Sequence, residues 1–134
     1  MKPDRAWIPD WRSGEAPSRE GEISRGLLRI FIAFWDAEGL SEKAKTTQRR
    51  YSAALHSLGG YLVEQANADD GRDKTAHTLL CERVGPEDGP LIFHDNEIWQ
   101  REIDMVCRKL HRYLAKKPVV VAVAINIQGH GCPN

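Results

Sequence analysis

From residue 99 to residue 113 the apolar side chains Trp99, Ile103, Val106, Leu110 and Tyr113 recur at alternating spacings of four and three, with charged residues between them. That period gathers apolar groups on one side of an α-helix and leaves polar groups on the other. In water, a helix divided in this way is held mainly by packing its apolar side against another element. The chain must therefore supply partners for this face.

Two earlier segments qualify. Leu27, Leu28, Ile30, Phe31, Ile32, Ala33, Phe34 and Trp35 crowd nearly every side of a helix expected over 23–37, which would place it in the middle of the fold. Gly39 suits a left-handed helix end, Leu40 the apolar contact that accompanies it, and Ser41 the cap of a following helix. In that second helix Ala44, Thr47, Tyr51, Leu55, Leu58 and Leu62 form one stripe. Gly59 and Gly60 interrupt it, each costing about 1 kcal/mol against alanine in a helix interior. Because the stripe resumes in register at Leu62, the pair predicts a close helix crossing rather than a break.

A polar loop over 66–74 leads to a short helix expected over 75–83, and "GPEDGP" at 85–90 ends it. The last helix is expected to open at Asp95 or Asn96 and to run to about residue 115. These readings predict an all-α fold, a four-helix bundle over 23–117. Residues 1–22, with Pro3, Pro9 and Pro17, read as an irregular arm whose Trp7 and Trp11 clamp it onto the domain or onto a partner. Residues 118–134 form an apolar tail. Its "VVVAVAINI" is a short-strand candidate in need of a partner, "PLIFH" at 90–94 or the same tail of a second chain; the other readings are an irregular arm packed on the domain, or disorder.

With 134 residues the chain is long enough for one core without staples. Lysine plus arginine and aspartate plus glutamate both number 19, so any nucleic-acid contact has to be local rather than driven by global charge. The cysteines, Cys81, Cys107 and Cys132, are odd in number and irregular in spacing. The absence of a signal-peptide pattern and of an apolar run near 18 residues predicts a cytoplasmic protein with no membrane partner.

The stretch "FIAFWDAEGLSEKAKTTQRRYSAALHSLGGYL", together with "CRKLHRYL", resembles the SAM-like core-binding domain at the N-terminus of tyrosine recombinases and phage integrases, over about residues 27–115. The resemblance implies a four-helix module that clamps double-stranded DNA, with the glycine turn and second helix along the duplex. Nothing after Lys117 resembles the recombinase catalytic domain, so recombination chemistry is not expected. The whole chain is also similar to small bacterial proteins carried on mobile elements such as integron gene cassettes, a likeness that implies no activity.

Lys43, Lys45, Gln48, Arg49 and Arg50 are side chains of the type that grip phosphates, and Arg108 and Arg112 on the last helix would add a second basic face. The plainer reading is that they are solvated surface charges. His77 with Cys81, and Cys107 with His111, are one helical turn apart, a spacing that a Cys2His2 metal site would need. Core thiols explain these pairs more simply, so no metal or cofactor is expected. His94, Asp95, Asn96 and Glu97 read as the start of a capped helix. No phosphate loop, nucleophile elbow or HExxH pattern occurs, and no small-molecule substrate is evident. The expected function is a non-enzymatic binding module acting on DNA; the alternative is a protein-interaction domain that homodimerises through its tail and exposed tryptophans.

Overall fold

The computed structural model describes residues 1–68 and 73–116. Among them the chain is all-α: α1 (Pro17–Ala37), α2 (Lys45–Ala66), α3 (Ala76–Arg83) and α4 (Glu97–Lys116), with 3-10 turns at Arg5–Trp11 and Leu40–Glu42 and no strand. No described helix is long and apolar enough to cross a membrane. The expected tail strand lies outside the described residues.

Helix α1 begins six residues before the expected start. Pro17 occupies its opening turn, where a missing N–H costs nothing. The buried carboxylate of Glu20 draws the preceding loop back onto the helix, accepting from Ser13 N at 3.2 Å, Gly14 N at 3.1 Å, the Ser13 hydroxyl and Asn67 Nδ2 at 2.8 Å. These bonds, led by the Ser13 hydroxyl and opposed by burial, hold the carboxyl down at about 2. From there Ile23, Leu27, Leu28, Phe31, Phe34 and Trp35 enter the core. The helix closes as expected: Gly39 is left-handed at φ 63°, and Leu40 is buried beside it.

α2 runs antiparallel to α1, since Glu20 meets Asn67 at one end of the pair and Phe34 lies 6.4 Å from Tyr51 at the other. Ser41 is not its cap. Its hydroxyl instead accepts from the indole of buried Trp35 at 2.8 Å, and α2 starts only at Lys45, behind an Ala44 that makes no side-chain cap bond. The close approach at Gly59 is real, but it is made by Trp11 at the end of the Arg5–Trp11 3-10 segment and not by another α-helix. A side chain there would lie within 2.6 Å of Cε2 of Trp11, so the arm presses an indole directly onto the α2 backbone. Trp11 also donates to the His56 carbonyl at 2.9 Å and stands edge-on to Phe31 at 6.2 Å. The arm therefore clamps intramolecularly, with Trp11 buried and Trp7 half-buried.

α3 is capped by Thr75, whose hydroxyl accepts from Thr78 N at 3.1 Å. It lies close to α1, because a side chain at Gly26 would come within 2.7 Å of the Ala76 methyl. α4 is capped by Asn96, which accepts from Trp99 N at 3.1 Å. Its Ile103, Val106 and Leu110 are buried as the period requires. Residues 90–94 are not a strand. The amides of Ile92 and Phe93 donate to Gln100 Oε1 at 2.9 Å each, and Gln100 Nε2 donates to the Pro90 carbonyl at 2.9 Å, so the segment is pinned to α4 rather than left open for pairing.

Candidate functional site

The phosphate-gripping candidates of the sequence divide into two groups. Gln48 is engaged in folding the turn, donating to the carbonyls of Ser41 at 3.3 Å and Lys43 at 2.9 Å. Arg50 forms a two-pronged bond to Glu102 of α4, at 2.7 and 3.2 Å. Arg108 donates to the Glu87 carbonyl at 3.1 Å. Lys43, Lys45, Arg49 and Arg112 are exposed. Phe34 lies against both Tyr51 and Tyr113, the latter at 5.6 Å, so the start of α2 and the end of α4 share one end of the fold. Arg112 is close enough there to favour the ionised Tyr51 phenol, although burial and Glu38 outweigh it and push that pKa up.

The two histidine–cysteine pairs keep the predicted one-turn geometry without converging. Cys81 Sγ lies 3.7 and 3.8 Å from the His77 ring nitrogens. Cys107 is a free, buried thiol, while the His111 ring faces the Val84 carbonyl at 3.3 Å. Among the described residues no three His, Cys, Asp or Glu side chains are placed to hold a metal ion. Of the "HDNE" cluster, Asn96 does the capping.

A different feature offers apolar surface to a ligand. Trp99, expected in the core, is 55% exposed, and its neighbour Ile98 is 69% exposed. Together with Phe93, whose ring meets Trp99 edge-on at 5.2 Å, they form one wall of a groove of about 490 Å³. Arg49, Ala53 and Ser57 of α2 form the other wall, and Ala54 and Ile103 line it from the core. The Arg50–Glu102 pair lies along it. The other exposed large apolar side chains among the described residues, Met1 and Leu91, border two further hollows that also reach Ser57. The exposed apolar groups thus lie around one side of α2, a concentration that usually marks a contact surface.

The hollow beside Leu91 holds an Asp10–His56 pair at 3.0 Å. Among the described residues no serine, threonine or cysteine side chain hydrogen-bonds the imidazole.

No family model matches this chain, and no curated protein or solved structure matches it either. The functional reading therefore rests on the site itself.

Proposed function

We propose that this chain is a non-enzymatic module that binds a segment of another protein in the groove between α2 and the start of α4. The observation that carries the reading is the exposure of Ile98 and Trp99 beside an apolar hollow of about 490 Å³. Pockets of this size lined by apolar and aromatic groups with a few polar ones are the usual form of a binding site, and exposed aromatic anchors dominate binding energy where they become covered. The test is selection from a displayed library of random peptides on the folded protein. An enriched peptide family is expected, and its binding should be lost in Ala53→Arg, which fills the groove from an exposed position and should leave the circular dichroism melt unchanged. No enrichment, or binding indifferent to Ala53→Arg, would overturn the reading.

A second reading, contact with double-stranded DNA, is supported by one juxtaposition. Lys43, Lys45 and Arg49 are free of ion pairs among the described residues and share one end of the fold with Arg112. It is a narrower face than the seven residues of the sequence pattern, since Gln48, Arg50 and Arg108 have internal partners. A duplex gel shift that weakens with added salt and disappears in Lys43→Glu/Lys45→Glu would support it; no shift at low salt would remove it.

A further inference from the structure

We infer that the occupant of the groove is an amphipathic helix of two to three turns carrying a carboxylate that meets Arg49. This rests on the protein-binding reading above and goes further by naming the partner's chemistry.

The shape of the groove selects a helix. The α2 wall is helical, and on the other wall the amides of Phe93 and Trp99 donate to the side chains of Gln100 and Asn96, so neither wall presents a row of free backbone groups. An extended peptide laid here would find no sheet edge, and its own backbone groups would be desolvated without partners. A helix brings those bonds with it. On the α2 wall stand exposed Arg49 and Ala53 and half-buried Ser57, each four residues from the next, which spans about 12 Å, or just over two turns. Ala53 and Ser57 are small, so a helix axis can settle at the roughly 8–10 Å typical of packed helices. Ile98 and Trp99 then cover its apolar stripe from the other side.

The charge of the groove selects the carboxylate. Three charged side chains line it. Arg50 and Glu102 satisfy each other through two bonds, leaving Arg49 as the net charge, without an ion pair among the described residues. Arg49 marks one end of the α2 wall and Ser57 the other, so a single carboxylate on the occupant both balances the charge and sets its direction. Covering Arg49 with an uncharged surface would desolvate a guanidinium for no return.

The experiment takes a peptide recovered by the library selection, labels it, and titrates it with the protein. Replacing its acidic residue with lysine should weaken binding about fivefold, the size of a partly exposed ion pair. Arg49→Glu should reverse that preference, and proline placed in the middle of the peptide should abolish binding. The inference is overturned if Ala53→Arg abolishes binding while Arg49→Glu leaves the charge preference unchanged, or if the central proline is tolerated; in either case the groove remains a binding site for another class of segment. It is also overturned if the protein self-associates in sedimentation runs and Ala53→Arg makes it monomeric, because the occupant is then a second copy. Binding indifferent to Ala53→Arg instead removes the underlying reading.

Discussion

At the scale of single residues, adjacent glycines in one helix have opposite roles. Gly59 faces the Trp11 indole, whereas a side chain at Gly60 would sit 3.4 Å from Trp11 Cδ1, an ordinary contact. Gly59→Ala should therefore cost about 1–3 kcal/mol through overpacking. Gly60→Ala should be neutral or stabilising by up to about 1 kcal/mol through helix propensity. In a Trp11→Ala background the penalty at Gly59 should vanish, and urea unfolding of the four proteins measures this directly. A penalty that persists without the indole would mean that Trp11 is not the cause. The anomaly was visible in the sequence, because two glycines inside an apolar stripe demand a close neighbour. The neighbour was not visible. It lies 48 residues upstream in a proline-rich arm with no helical period, and local pattern carries no information about which distant side chain fills a gap.

At the scale of elements, periodicity located all four helices but not what happens at their ends. Ser41 stood where an N-cap belongs, yet a 3-10 turn intervenes and the hydroxyl serves Trp35 instead. Ser41→Ala leaves a buried indole N–H unpaired, a loss of about 1–3 kcal/mol. A double-mutant cycle with Trp35→Phe separates this from loss of a cap: coupling of about 1 kcal/mol is expected if the two groups are partners, and none if Ser41 caps α2. The groove was hidden for a related reason. A four-three alternation states that Trp99 and Ile103 share a helix side, but not that the neighbouring helix covers every turn of it. Ile103 is buried against α2, while Trp99, one turn earlier, stands beside small Ala53 and Ser57 and stays open. Likewise, the type and spacing of basic residues were legible, whereas the bonds that engage Gln48, Arg50 and Arg108 depend on tertiary placement.

At the scale of the whole molecule, the arm, α1, α2, α3 and α4 all contribute to one buried cluster that runs from Trp11 through Phe31 and Leu58 to Leu80, Cys107 and Leu110. No element keeps a separate core of its own, so the described part should unfold in one step. Cys107 reports on this. Its thiol is packed so closely beneath Gly89 that a side chain there would collide with Sγ, and its pKa is pushed up to about 12, first by burial and then by Asp104 and Asp88. Only the thiolate reacts readily, and at mildly alkaline pH a shift of this size reduces the thiolate population about a thousandfold relative to an unperturbed cysteine. Alkylation of Cys107, followed by peptide mapping so that Cys81 and Cys132 are scored separately, should therefore be negligible in buffer. As urea increases, it should rise along the same curve as tryptophan fluorescence, whose signal includes Trp11 and Trp35 in the shared core. Labelling that runs ahead of fluorescence would show that the 85–96 loop and α4 open independently of the arm and α1. That would separate the groove's α4 wall from its α2 wall and make the groove a transient feature rather than a fixed one.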